Sequence, residues 1–237
     1  MIFNPPLIQA TLIKRYRRFL TDIRLESGET ITIHCPNTGS MMNCLVPESQ
    51  AWYLPSTDPN RKTKGTWVLA TTPHGRIANI NTHYANTLVE EALSERLIKE
   101  AGTFKKLRRE VKYGEENSRI DFCLTHEDDS LTYIEVKSVT LGFHDSTTAA
   151  FPDAVTERGT KHLRELTRLA ENGVKTILLY CVNLSGITAV RPADEIDPEY
   201  GKALRLAQKA GVKIIAYGTE LSPSEIKITH SIPVVMD

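Results

Sequence analysis

Ser118-Arg119-Ile120-Asp121-Phe122-Cys123-Leu124, followed after a polar turn by Tyr133-Ile134-Glu135-Val136-Lys137, is the stretch whose reading decides the fold. Both runs alternate apolar and polar residues around Glu127-Asp128-Asp129, the pattern of a β-hairpin. A register centred on residue 128 sets Asp121 opposite Glu135. Side chains alternate across a strand, so Ile120, Phe122, Leu124, Ile134 and Val136 are expected on a core face. Asp121, Glu135 and Lys137 then share the other face. A slip of two residues would keep that facing and move the carboxylates onto a diagonal.

Like charges directly across a ladder destabilise it. At about 4 Å and an effective dielectric near 20 the repulsion is about 4 kcal/mol, a large fraction of a folding stability of roughly 5–15 kcal/mol. Lys137 supplies one compensating charge. A hard divalent cation such as Mg²⁺ held by Asp121 and Glu135 supplies two, with water and the Val136 carbonyl completing its shell. Lys137 would then orient an attacking water or stabilise developing negative charge beside a phosphodiester. The alternative is an ordinary surface hairpin with Glu135 and Lys137 solvated.

Upstream, residues 1–82 read as short strands broken by turns: Leu7–Tyr16, Phe19–Leu25, Thr30–Cys35, Ala51–Leu54, Trp67–Thr72 and Arg76–Ile80. So many short strands in so little chain suggest a small OB-like barrel, whose closure removes exposed edges. After Thr82 the period changes to that of a helix, with Leu88, Val89, Ala92, Leu93, Leu97 and Ala101 on one side and Gly102 as its expected end. The strands Lys106–Tyr113, Ser118–Thr125 and Leu131–Val139 follow. Next come a helix over about Thr156–Glu171, the strand Lys175–Val182, a helix opened by Asp197-Pro198, and the strand Val212–Tyr217. The expected fold is α/β with a β-barrel: residues 1–82 a barrel, residues 83–237 a mixed sheet covered by helices.

Composition narrows the function. Lys plus Arg is 29 and Asp plus Glu is 29, a formal net charge of zero that excludes a histone-like polycation. Apolar runs are too short to cross a bilayer, and Met1-Ile2-Phe3-Asn4-Pro5-Pro6 lacks a secretory pattern, so the cytoplasm is the expected compartment. Cys35, Cys44, Cys123 and Cys181 are too scattered for a disulfide framework or a strong zinc motif. His34, Cys35 and Cys44 read as ordinary reduced residues. Trp52, Tyr53 and Trp67 suit a barrel core better than a stacking platform.

The helix, the Asp on one hairpin strand, the E-x-K on the next and the basic helix beyond resemble the PD-(D/E)xK nuclease core. More specifically, Pro5-Pro6-Leu7, Cys35-Pro36-Asn37-Thr38-Gly39, Ser118 to Phe122, Tyr133 to Val139 and Phe151-Pro152-Asp153-Ala154-Val155-Thr156-Glu157-Arg158-Gly159 resemble the sugar fermentation stimulation protein A (SfsA) family over nearly the whole chain. The resemblance implies an N-terminal OB-like domain, a PD-(D/E)xK nuclease-like C-terminal domain, DNA binding of low sequence specificity and a regulatory role in sugar (maltose) metabolism. Ile120 stands where the nuclease pattern has proline, and Pro152-Asp153 comes after the E-x-K, in the wrong order to serve. By analogy with that core, a helix carboxylate joins the site. Glu91 is favoured over Glu90 because it flanks Leu88 and Ala92, and Lys161 is the helix residue sent toward phosphate; His162 reads as a packed imidazole in preference to a proton carrier.

A nucleic acid would need a cationic path. Lys14, Arg15, Arg17 and Arg18 are the charged residues of the first twenty, with Tyr16 and Phe19 interleaved as stacking partners. Arg96 to Lys112 carries seven basic residues against two acidic ones. The helix after the hairpin carries Arg158, Lys161, Arg164 and Arg168. Two functions remain open: a DNA-binding protein without turnover, and a nuclease using Mg²⁺ or Mn²⁺ through Asp121, Glu135, Lys137 and Glu91. RNA binding is a third, weaker option, and a homodimer is compatible with either.

Overall fold

Nine residues, Ile8–Tyr16, form β1, which pairs with β2 (Leu20–Arg24) on one side and β4 (Gln50–Pro55) on the other. β2 continues to β3 (Thr30–His34), and β4 to β5 (Gly65–Thr71). β3 meets β5 at His34 and Thr66, which closes a five-stranded barrel with β6 (Ile77–Asn79) added on β5. A register shift between Leu12 and Lys14 bends β1 around the ring. Leu12, Ile23, Ile33 and Trp67 fill the interior. Gly65 lies at a close approach: a Cβ there would stand 2.5 Å from the Leu54 carbonyl oxygen. The computed structural model describes residues 1–113 and 118–236. Among these, no helix is long and apolar enough to cross a membrane, and all four cysteines are buried free thiols.

Beyond the barrel the order is α1 (Thr82–Ser94), a 3₁₀ turn (Lys99–Ala101), β7 (Lys106–Tyr113), β8 (Ser118–Thr125), β9 (Leu131–Val139), β10 (Thr148–Phe151) and α2 (Glu157–Glu171). Then come β11 (Lys175–Val182), β12 (Ala189–Pro192), α3 (Pro198–Lys209), β13 (Lys213–Leu221) and β14 (Ile226–Ile232). Six strands form one sheet in the order β14-β13-β11-β9-β8-β7, parallel over β9, β11 and β13 and antiparallel outside them. β11 is central and apolar on both faces, as a covered parallel strand must be. α1 packs Leu88, Val89 and Leu93 with Phe122, Leu124, Ile134 and Val136. α2 and α3 pack Leu163, Leu166 and Leu204 against Leu178 and Tyr180 on the opposite face. Asp197 joins the latter two helices, accepting from Tyr200 N at 3.0 Å and from Thr156 N at 2.8 Å.

Three expectations need correction. The first helix ends at Ser94, not Gly102: Arg96 takes a left-handed backbone (φ 61°), and Leu97 N donates to Ala92 O, a Schellman-type stop without glycine. Ile98 and Ala101 stay in the core through the separate 3₁₀ turn. β10, β12 and β14 are additional strands, two of them only four residues long. Finally, Ile120 does not share a face with Phe122 and Leu124. It packs with Tyr113 and Cys123, because the β7–β8 ladder is interrupted where Glu110 (φ 51°) stands opposite Asp121, and the hairpin turns over there.

Candidate functional site

The register of β8 with β9, from Phe122↔Ile134 to Thr125↔Leu131, is centred on residue 128, as read from the sequence. Pairing stops one step before Asp121, where the hairpin turns over. This frees the Asp121 carboxylate from a ladder position. Its Oδ2 accepts the Val136 N–H at 2.7 Å and its Oδ1 accepts Asn86 Nδ2 at 2.8 Å. Glu135 is 3% exposed, and its Oε1 accepts from Lys137 Nζ at 2.8 Å and meets His162 Nδ1. Lys137 Nζ lies 3.3 Å from that imidazole nitrogen. Asp121, Glu135 and Lys137 thus open into one cleft of about 320 Å³, walled also by Asn37, Asn86, Asp153, Arg158 and His162.

The electrostatics of the two carboxylates differ. Burial, and then the charge of Glu135, push Asp121 up to about 6 against the pull of its hydrogen bonds. Burial also raises Glu135, but Lys137 and His162 outweigh it and hold that carboxyl below its ordinary range. Glu135 Oε2 is buried with no hydrogen-bond partner among the described residues. An orphaned carboxylate oxygen beside a second, destabilised carboxylate is a donor set that fits a hard divalent cation. Among the described residues no three His, Cys, Asp or Glu side chains are grouped to hold one, so Asp121 and Glu135 would be the protein's side-chain donors.

A pH experiment checks the assignment of Asp121. Its folded pKa lies above the unfolded value, so in chelator the fold gains stability as pH falls through roughly 6 to 4, worth up to about 3 kcal/mol at about 1.4 kcal/mol per unit. Asp121→Asn removes the penalty. It should melt above the unmodified protein at pH 7.5, with the difference vanishing toward pH 4; equal melting at pH 7.5 contradicts the assignment.

The structure does not bring Glu91 into the cleft. Its Oε2 takes the Met1 α-amino group at 2.7 Å, while Glu90 pairs with Arg109 at 2.9 Å. α1 faces the cleft through Thr82, Ala85 and Asn86. Glu91 sits five residues further on, about 7.5 Å along the axis. Asn86 takes the expected place, one turn before Glu90. Arg158 lines the cleft, and Lys161 does not; the residue that α2 delivers is His162. Its spacing of four from Leu166 placed it on the buried stripe of the helix, the signal that could have found it.

At the barrel edge Lys14 lies over the Tyr16 ring and 3.9 Å from Asp22. Arg15 is spent on structure: its guanidinium donates to the carbonyls of Arg18, Asn37 and Gly39. Arg17 and Arg18 remain exposed at the β1–β2 tip, both left-handed (φ 49° and 62°), a conformation costing roughly 1–2 kcal/mol per residue. Of the longer basic run, Arg109 and Lys105 are paired with Glu90 and Asp129, and Lys106 and Lys112 are exposed. Trp52, Tyr53 and Trp67 are buried.

Comparisons with known proteins agree along the whole chain. The family described as "Sugar fermentation stimulation protein RE domain" matches residues 83–225, and the "SfsA N-terminal OB domain" matches residues 13–80. A "Sugar fermentation stimulation protein homolog" of Pseudomonas fluorescens (strain SBW25) is 58% identical over 237 residues, covering 100% of both chains. One from Azotobacter vinelandii (strain DJ / ATCC BAA-1303) is 58% identical over 236 residues, again covering 100% of both. The structure described as Pyrococcus furiosus SfsA in complex with Ca²⁺ is similar at a TM-score of 0.87 and 25% identity, covering 99% of this chain and 98% of that one.

Proposed function

The chain belongs to the sugar fermentation stimulation protein (SfsA) family, and from that premise we propose that it binds DNA and hydrolyses phosphodiester bonds with Mg²⁺ or Mn²⁺ at Asp121, Glu135 and Lys137. In this reading residues 1–82 are a DNA-holding barrel domain and residues 83–237 the hydrolytic domain. The observation that carries it is the opening of two carboxylates and an ammonium into one cleft, with Glu135 Oε2 buried and, among the described residues, without a hydrogen-bond partner. The Ca²⁺ of the Pyrococcus furiosus relative supports a divalent ion.

A bound Mg²⁺ would supply a more acidic water and neutralise charge on the phosphate. The protein's part follows from its contacts. Asn86 and the Val136 N–H fix the Asp121 carboxylate, and His162 fixes Glu135. Lys137, tied to Glu135, orients the attacking water or stabilises charge developing on the phosphorane-like oxygens. Arg158 at the cleft and Arg17 and Arg18 at the barrel tip hold neighbouring phosphates.

The second reading is DNA binding without turnover, as a regulatory factor in sugar (maltose) metabolism. It is favoured by the occupation of Glu135 Oε1 by Lys137 and His162 and by the finding that, among the described residues, no three His, Cys, Asp or Glu side chains are grouped to hold an ion. Incubating DNA with the protein and Mg²⁺ or Mn²⁺ separates the two: the hydrolytic reading requires cleavage, and an intact substrate with both ions leaves only the binding one. Both predict salt-dependent affinity, with a log–log slope of about −0.9 per phosphate neutralised on duplex DNA and −0.7 on single strands. Arg17→Ala, Arg18→Ala and Arg158→Ala should each flatten the slope by about one such step. Unchanged slopes in titrations from low to high salt would remove these residues from the interface.

A further inference from the structure

Resting on the phosphodiester reading above, we infer that the DNA taken by this site is unpaired where it is attacked, with one base stacked on Phe19 and an adjacent nucleotide drawn into the cleft. The shape of the cleft is the first ground. Glu135, at its floor, is 3% exposed, and walls rise from Asn37 of the barrel, Asn86 of α1, and Arg158 and His162 of α2. To reach that floor a phosphate has to pass between these walls, which an unpaired strand does without carrying a partner strand along.

The barrel tip is the second. Phe19 is 48% exposed, next to Arg17 and Arg18, whose side chains make no hydrogen bond or ion pair among the described residues. Both arginines hold left-handed backbones where hairpins favour Asn-Gly. Strain of this kind is kept where a particular display is required, and what is displayed is two exposed arginines adjoining a half-exposed phenyl ring in sequence. Stacked base pairs offer such a ring no π-face; an unpaired base does. Arg15 supplies the link: by bonding Arg18 O, Asn37 O and Gly39 O together, it makes the tip and the barrel wall of the cleft one rigid piece. A strand leaving Phe19 is therefore handed toward Glu135 along a wall that Arg15 braces.

The test uses the full chain and three oligonucleotides of equal length: a single strand, a blunt duplex, and a duplex with an unpaired flap. Affinity is read by fluorescence anisotropy in chelator, and cleavage with Mg²⁺. The single strand and the flap should be bound and cut in preference to the blunt duplex. Phe19→Ala should lose about tenfold in single-strand affinity and less than twofold on the duplex. Phe19→Trp should restore binding, with its fluorescence quenched by the single strand. Equal binding and cutting of the blunt duplex, or equal losses on both forms in Phe19→Ala, would overturn the inference and leave the phosphodiester reading standing. Failure to bind any of the three overturns both.

Discussion

Asp121→Asn is expected to lower metal-dependent DNA cleavage by at least about 10³-fold while leaving DNA affinity in chelator within a factor of two. The substitution is isosteric. Its amide oxygen can still accept the Val136 N–H, so the turn-over of the hairpin at Asp121 is preserved. What is lost is one of the two facing carboxylate charges of Asp121 and Glu135, and with it the competition that pushes Asp121 up to about 6. A merely structural Asp121 would give the opposite pattern: activity tracking stability. Asn86→Ala, which removes a hydrogen bond that aims the carboxylate without touching substrate, belongs to the same series and should cost about 10–100-fold. Initial rates of oligonucleotide cleavage at saturating Mg²⁺ measure both, and an unimpaired Asp121→Asn protein would exclude hydrolysis at this site.

The largest loss of stability is expected away from the chemistry, at Asn183. This residue and Asn79 are both fully buried where β6 of the barrel meets the end of β11. Asn79 Nδ2 donates to Asn183 Oδ1 at 3.1 Å, and Asn183 Nδ2 donates to Ser138 Oγ at 2.9 Å, a residue of the cleft wall. Asn183→Ala leaves a buried amide and a hydroxyl without partners and opens a small void. It should cost about 3 kcal/mol, or about 10 °C in Tm for a chain of this size. Urea unfolding checks it, and a double-mutant cycle with Asn79→Ala isolates the shared bond. A loss under about 1 kcal/mol would mean that the barrel is not held to the sheet through this pair.

Much of the architecture was legible because the sequence punctuates it. Short alternating strands with Pro and Gly between them announced the barrel, and Asp197-Pro198 announced α3. The hairpin register followed from two alternating runs around one polar turn. What escaped depends on long-range packing or on local backbone turns. β10 and β12 are four residues each and are strands only because they find one another. α1 stops at Arg96 in a conformation that its residue type does not advertise. The site shows the same division. Asp121, Glu135 and Lys137 lie close in sequence on two neighbouring strands, so alternation could group them and the family resemblance single them out, while the turn-over that aims Asp121 was not visible in the spacing. The helix contributions depend on where along α1 and α2 the sheet is met. There the expected Glu91 and Lys161 give way to Asn86 and His162. Among the arginines of the barrel edge, charge could not reveal that Arg15 is consumed by backbone carbonyls while Arg17 and Arg18 face solvent.

Titrating the metal-free protein with Mn²⁺, and following bound ion by electron paramagnetic resonance at neutral pH, interrogates the cleft without requiring turnover or DNA. One ion per chain should bind, and Asp121→Asn combined with Glu135→Gln should abolish it with the fold intact. Binding that persists unchanged in the doubly substituted protein, or no binding to the unmodified one, would contradict a cation held between these two carboxylates.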